Sequence, residues 1–232
     1  DAFAAHQPSG GAERHFKGVA ACLADGASCS REAQQASQIS VINFLEDYYS
    51  TPETWDVKTA ATRVFRSLNA WLHHHDRHLN TGHDGLLTTF SAIVMKGATA
   101  HCFHVGDSRI YRLRGGKLQQ LSRDHTHGSG AQRRLVRALG LDSHLDMDYQ
   151  ALSLAEGDLW LLTSDGLHEH LDNRVMAAQL ANAGDNLESS AKQLVDQAYD
   201  NGSQDNISCL LLRIDQLPRQ DLDDYHRRLT AS

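Results

Sequence analysis

Apolar positions along this 232-residue chain follow two periodicities. Short runs rich in Val, Ile, Leu, Phe and Cys, bounded by Gly, Asp or Asn, read as strands at 17–26, 87–96, 99–105, 109–114, 117–121, 148–153, 158–163 and 207–214, with a shorter one at 1–5. Gly97-Ala98, Gly106-Asp107-Ser108 and Gly115-Gly116 divide four consecutive runs, a spacing that predicts an antiparallel meander. Helical spacing governs four longer segments. The first is predicted from a Ser28 cap to about residue 49, with Ala33, Ala36, Ile39, Val41, Ile42 and Leu45 on one buried face, and Thr51-Pro52 ends it. The second, at 56–79, turns Val57, Ala60, Ala61, Val64, Phe65, Leu68, Trp71 and Leu72 inward. Segments 173–183 and 187–199 form a second helical pair. Residues 7–14 read as a polar connection, and 124–140 as irregular with a short helix at 133–139. Two helix pairs and two groups of antiparallel strands predict an α/β (α+β) fold, a four-layer α-β-β-α sandwich over 1–215. After Leu217-Pro218 the residues 216–232 read as a linker with a short charged helix at 221–229.

Composition narrows the function. A hydrophobic content of 41% is ample for a core at this length, while a net charge of -7 with no basic run argues against a nucleic-acid surface. No apolar stretch reaches the roughly 18 residues needed to span a membrane. The four cysteines have no CxxC spacing and three of them sit in strand-like runs, which suits buried thiols in a reducing, cytoplasmic compartment.

The chemistry concentrates at strand ends. Asp25-Gly26 and Asp165-Gly166 each close an apolar run with a carboxylate and a residue that lets the backbone turn sharply. Gly106-Asp107-Ser108-Arg109 repeats the arrangement, Asp205-Asn206 precedes the last strand, and Asp1 precedes the first. One Asp-Gly alone is an ordinary turn. Five aspartates at strand edges, if they converge, repel one another unless a cation neutralises them, and hard divalent ions prefer oxygen ligands. Competing features are weaker. His73-His74-His75, with His78 and His83, reads as a solvated helix end rather than a zinc site. Ser108 beside Arg109 and His104 hints at a nucleophilic triad, but His104 is out of phase with the turn. Arg109 reads as a structural ion-pair partner, and Thr88 and Thr89 as strand residues suited to bonding a ligand carboxylate.

The order Asp1, Asp25-Gly26, Thr88-Thr89, Gly106-Asp107-Ser108-Arg109, Ser164-Asp165-Gly166, Asp205-Asn206 resembles that of the metal-dependent protein phosphatases of type 2C, through nearly the whole chain. The resemblance implies hydrolysis of phosphoserine and phosphothreonine in proteins by a bridging water at a binuclear Mn²⁺ or Mg²⁺ centre, with no covalent phospho-enzyme. By position, Asp25 resembles the carboxylate bridging both metals and Gly26 the donor of a backbone carbonyl. Asp165 and Asp205 resemble the carboxylates completing the other metal, so that Asp25, Asp165 and Asp205 are the expected catalytic set. Asp1 resembles an aspartate that binds through water, and Asp107 a ligand of a third, weaker ion seen in bacterial members.

Three departures stand out. The phosphate-gripping arginine that family members carry before the first aspartate would lie upstream of Asp1. The usual glycine pair after the first Asp-Gly is replaced by Ala27-Ser28-Cys29-Ser30, and Ala27 occupies the place of a proposed histidine proton donor, leaving that proton to water. Residues 25–37 and 47–55 resemble bacterial members fused ahead of a Ser/Thr kinase domain. The start at Asp1 inside a motif and the linker-like tail fit a fragment of such a chain. The expected partners are thus a phosphoprotein substrate and a Ser/Thr kinase, without nucleic acid or membrane contact. A phosphatase-like regulatory module with little turnover is the alternative. The segment 124–140, shorter than the mobile flap of many relatives, carries Arg133, Arg134 and Arg137 as a basic stretch able to attract phosphorylated substrates.

Overall fold

The computed structural model describes residues 1–27, 32–79, 86–128, 132 and 134–218. β1 (Ala2–His6) leads into α1 (Gly11–Lys17), β2 (Val19–Ala24), α2 (Ala33–Ser50) and α3 (Val57–Leu79). Then come β3 (Phe90–Lys96), β4 (Thr99–Val105), β5 (Arg109–Arg114), β6 (Lys117–Gln120), β7 (Thr126–His127), β8 (Arg134–Leu135), β9 (Asp148–Ser153) and β10 (Leu159–Thr163). The chain continues through α4 (Asp165–His168), α5 (Asn173–Ala181), α6 (Leu187–Asp200) and β11 (Cys209–Arg213). One antiparallel sheet has the order β1-β2-β3-β4-β9, and a second the order β11-β10-β5-β6. β7 and β8 make a small separate ladder.

Three apolar clusters hold these elements. Phe44 and Tyr48 of α2 and Phe65 and Leu72 of α3 pack on Cys22, Phe90 and Phe103 of the first sheet. The rings of Phe44 and Phe65 stack at 4.6 Å and Phe65 meets Phe90 at 5.3 Å. Leu23, Ile93 and Cys102 meet Ile110, Trp160 and Leu162 between the sheets. Tyr111, Leu161, Met176 and Leu194 join the second sheet to α4, α5 and α6. These are the clusters that a stack of helices, sheet, sheet and helices requires.

Several expectations change against this frame. The meander is really two hairpins in different sheets, β3-β4 and β5-β6, and the chain crosses between sheets at Gly106-Asp107-Ser108. Gly106 sits at φ 107°, and a Cβ there would lie 2.5 Å from Thr89 Cβ, so the crossover tolerates no side chain. The buried face of α2 runs through Ala36, Ser37, Ser40, Val41, Phe44 and Tyr48. Because the i, i+4 ladder of Ser40, Phe44 and Tyr48 sets that face, Ile42 turns outward and is 54% exposed. Trp71 likewise is 41% exposed, stacked on His75 at 4.8 Å.

The helix expected at 133–139 does not form: Arg134-Leu135 pairs with Thr126-His127, and Leu139 exchanges hydrogen bonds with Thr88 at 2.9 and 3.3 Å. The connection at 7–14 contains the start of α1. The N-cap position of α2 is Glu32, with no side-chain cap bond, while the expected Ser28 cap lies outside the described residues, as does the 221–229 helix. Asp56 does cap α3, accepting from the Thr59 amide at 2.9 Å and its hydroxyl at 2.7 Å. Cys22, Cys102 and Cys209 are buried free thiols.

Candidate functional site

Asp25 follows the last residue of β2, where main chain fixes it. Its N–H donates to Thr89 Oγ1 at 3.1 Å, and its carbonyl accepts from the Thr89 amide at 2.8 Å and Thr88 Oγ1 at 2.9 Å. Thr88 and Thr89 thus bond the Asp25 backbone rather than its carboxylate. Gly26 pairs with Thr88 as an isolated bridge. A Cβ on Gly26 would fall 2.1 Å from the Ala33 carbonyl oxygen, so the missing side chain admits the start of α2.

On the second sheet, Ser164 ends the β10 segment and Asp165 opens α4. Three serines tie this corner to the loop carrying Asp205. Ser164 N–H donates to the Ser208 carbonyl at 3.0 Å, the Ser208 amide donates to Ser164 Oγ at 3.0 Å, and Ser203 Oγ donates to the Gly166 carbonyl at 2.9 Å. Gly166 approaches so closely that its Cβ would sit 2.3 Å from the Asn206 carbonyl oxygen. These bonds bring Asp205 beside Asp165 from 40 positions along the chain. Ser164 stands in the Ser164-Asp165-Gly166 motif, but the bonding of the three serines is not predicted from the sequence, since each finds its partner only across the folded corner.

Asp107 lies buried at the sheet crossover, its carbonyl accepting from His168 Nε2 at 3.0 Å. Ser108 Oγ lies 2.6 Å from Thr89 Oγ1, which joins this turn to the Asp25 strand end. Arg109 makes a bidentate pair with Asp124, Nε at 2.9 Å and Nη2 at 2.7 Å, and its Nη1 donates to Tyr111 OH at 3.1 Å. The expected structural ion pair is present.

Electrostatics joins these carboxylates into one site. Burial, then Asp165, Asp205 and Asp107, push the Asp25 carboxyl well above the usual carboxylate range. Burial, then Asp205 and Glu169, raise Asp165. Asp1 Oδ2 and Asp165 Oδ1 are buried acceptors with no hydrogen-bond partner. Among the described residues no group of three or more His, Cys, Asp or Glu side chains forms a ready-made metal cage. The donor set of carboxylate and carbonyl oxygens nonetheless fits a hard divalent cation, which would relieve the mutual repulsion and engage the orphaned oxygens.

The alternative sites dissolve. His73 Nδ1 lies 3.0 Å from the Gly140 carbonyl and His74 Nδ1 2.7 Å from that of Ala70, so backbone engages one nitrogen of each ring. His83 and the His78 side chain lie outside the described residues. His104 bonds Ser91 Oγ at 2.9 Å instead of Ser108, which excludes the triad. Arg137 is paired with Asp146 at 2.7 Å and Asp148 at 3.3 Å, Arg134 is exposed, and Arg133 lies outside the described residues.

Comparison with known proteins bears on the family and the fold. The family described as Protein phosphatase 2C matches residues 1–211. The serine/threonine phosphatase stp of Listeria monocytogenes is 26% identical over 219 residues, covering 83% of either chain. The serine/threonine protein phosphatase PstP of Mycobacterium tuberculosis is 28% identical over 145 residues, 55% of this chain and 27% of that one. Among solved structures, PppA of Pseudomonas aeruginosa, described as a key regulatory component of T6SS, superposes with a TM-score of 0.76 at 25% identity over 91% of this chain and 89% of its own. The PstP/Ppp crystal structure shares the fold with a TM-score of 0.73 at 20% identity, over 93% of this chain and 99% of that chain.

Proposed function

This chain belongs to the protein phosphatase 2C family and is a protein-serine/threonine phosphatase, and we propose that it acts through a pair of Mn²⁺ or Mg²⁺ ions held by Asp25, the Gly26 carbonyl, Asp165 and Asp205. Such ions, when bound, supply Lewis-acid stabilisation of phosphate oxygens and lower the pKa of a water. Asp25 would take the shared position, as the family resemblance implies, and its carboxyl is already raised by burial and by Asp165, Asp205 and Asp107. Asp165 and Asp205 would hold the second ion, Asp1 would contribute through water, and Asp107 would hold a third, weaker ion. No side chain acts as nucleophile: Ser108 is fully buried and bonded to Thr89. Ala27 carries no proton to give, so the leaving alkoxide is protonated by water.

The observation that carries this reading is the convergence of half-buried, mutually repelling carboxylates at Asp25 and Asp165, with orphaned oxygens at Asp1 and Asp165. The phosphatase domain spans 1–215, a boundary supported by the family match, and 216–232 leads out of it. Its substrate is a phosphoprotein, and its partner a Ser/Thr kinase whose phosphorylation it reverses, the latter supported by sequence resemblance alone. Among the described residues no helix is long and apolar enough to cross a membrane.

Hydrolysis of a chromogenic phosphomonoester, measured with added Mn²⁺ and again with a chelator, tests the reading. Turnover that the chelator abolishes and Mn²⁺ restores is expected. A folded chain that binds Mn²⁺ yet never turns over would favour a regulatory module instead.

A further inference from the structure

Two buried histidines outside the proposed metal chemistry clasp the turn that bears Asp107. The Gly106 N–H donates to His125 Nδ1 at 3.2 Å, and the His125 N–H donates to the Gly106 carbonyl at 2.7 Å, closing a reciprocal pair. The same Gly106 carbonyl faces His104 Nε2 at 3.1 Å, and the Arg123 carbonyl faces that nitrogen at 3.0 Å. Two carbonyls make Nε2 the protonated nitrogen of His104, which leaves Nδ1 to accept from the Ser91 hydroxyl at 2.9 Å. Likewise His125 accepts at Nδ1, so its proton sits on Nε2, 3.2 Å from an Asp148 carboxylate oxygen. The two rings lie 5.0 Å apart.

Gly106 cannot carry a side chain, because its φ of 107° and the 2.5 Å approach to Thr89 forbid one. The main chain next to Asp107 is therefore fixed by groups brought from elsewhere. His125 supplies both an acceptor and a donor, and its own carbonyl accepts from Val136 N–H at 2.9 Å in the arm formed by β7 and β8. Packing alone would need only an apolar ring at this place. The paired polar bonds instead define the path of the Gly106-Asp107 peptide, which sets where the carboxylate points.

We propose that His125 is a positioning residue of the phosphatase reaction, its Nδ1 and main chain holding Gly106, with His104 as a brace, so that the Asp107 carboxylate is aimed at the acidic site. The inference rests on the reading of Asp107 as a functional carboxylate.

The test compares His125→Gln with His125→Asn in the full chain. Asn can present its Oδ1 near the place of Nδ1, whereas Gln carries its polar group toward the place of Nε2. His125→Gln is expected to lose about 10- to 100-fold in kcat, the range typical of residues that orient metal ligands, with KM for a chromogenic phosphomonoester changed less than about twofold. His125→Asn should regain kcat to within about threefold of the unmodified chain. The Gly106 amide should exchange slowly with deuterium in the unmodified chain and faster in the Gln variant. Equal kcat for the two variants, once the folded fraction is accounted for, overturns the role of the acceptor. So does a fast-exchanging Gly106 amide in the unmodified chain, a measurement that needs no variant to fold. Asp107→Ala separates the two levels: if it keeps full turnover the reading of Asp107 itself fails, and if it loses turnover while His125→Gln does not, only the positioning role fails.

Discussion

The two Asp-Gly strand ends look alike in sequence and are built differently. Asp25-Gly26 continues the first sheet: Gly26 bridges Thr88, Thr88 bridges Leu139, and threonine hydroxyl and amide groups hold the Asp25 backbone on both sides. Asp165-Gly166 leaves its sheet at once for the short helix α4, and serine hydroxyls hold it against a loop whose Asp205 and Asn206 are exposed. Neither glycine adopts a positive φ. What excludes a side chain in each is a carbonyl oxygen, that of Ala33 at 2.1 Å or that of Asn206 at 2.3 Å from where a Cβ would be. The dipeptide is thus a device for close approach, and the difference lies in what approaches. The first carboxylate is joined to the sheet and the base of a long helix, the second to an exposed loop.

The largest expected consequence separates the central carboxylate from the peripheral one. Asp25→Asn removes the charge that the other three carboxylates surround, and turnover should fall at least about a thousandfold, roughly 4 kcal/mol of transition-state stabilisation, at every Mn²⁺ concentration. Asp205→Asn removes one proposed ligand from the exposed side, so raising Mn²⁺ should restore much of its activity. Steady-state rates across a Mn²⁺ titration, with folding followed by circular dichroism, decide the matter. Equal rescue of both variants would erase the distinction.

Next in size is the effect of one methyl group. Gly26→Ala pushes into the Ala33 carbonyl oxygen, carbon and Cβ at 2.1, 2.4 and 2.7 Å, all on the first turn of α2. A cost of about 3 kcal/mol is expected, at the upper end for overpacking, lowering Tm by about 6–12 °C. Gly166→Ala meets only the carbonyl oxygen and carbon of Asn206, on the loop carrying Asp205, at 2.3 and 3.1 Å, so a smaller cost of about 2 kcal/mol is expected there. Because Asp205 would move with that loop, the Mn²⁺ requirement should rise in Gly166→Ala. Thermal melts and Mn²⁺ titrations of both proteins test this, and a larger Tm loss for Gly166→Ala would reverse which close approach is the tighter.

Much of this was legible in the sequence because it rests on local pattern. The runs 99–105 and 109–114 coincide with β4 and β5, since apolar runs between glycine turns carry their own boundaries. The strand-end aspartates were visible for the same reason. The sheet crossover at Gly106 was not, because a turn within one sheet and a turn between two share the same residues. Hydrophobicity alone turns Ile42 and Trp71 inward, yet Phe44 and Phe65, which stack on each other, decide how the helices are rotated. The contacts of Arg109 with Asp124, of His125 with Gly106 and of Ser203 with Gly166 join positions 15 to 37 residues apart. No periodicity encodes such pairs, although buried serines and histidines inside apolar surroundings signal that partners must exist.

The smallest expected effect belongs to the crossover that joins the two sides. Burial, reinforced by the neighbouring His125, pushes the His104 pKa down to about 4, against the opposing pull of the Arg123 carbonyl, the Asp148 carboxylate and the Gly106 carbonyl. In the unfolded chain the ring titrates near its ordinary 6.5. Between these values the unfolded chain binds a proton that the folded chain refuses, so stability falls as pH falls. The contribution of neutral His104 is complete above about pH 6.5 and is lost progressively toward about pH 4, a total on the order of 1–3 kcal/mol. His104→Asn keeps an uncharged hydrogen-bonding group and has nothing to titrate in that window. His125, held low by burial as well, stays in both proteins and largely cancels in the comparison. Melting temperatures measured near pH 7.5 and pH 5 should therefore fall further in the unmodified chain than in His104→Asn, by a few degrees. Parallel losses in the two proteins would mean that His104 takes up its proton without cost, and that the crossover is less tightly closed than its hydrogen bonds imply.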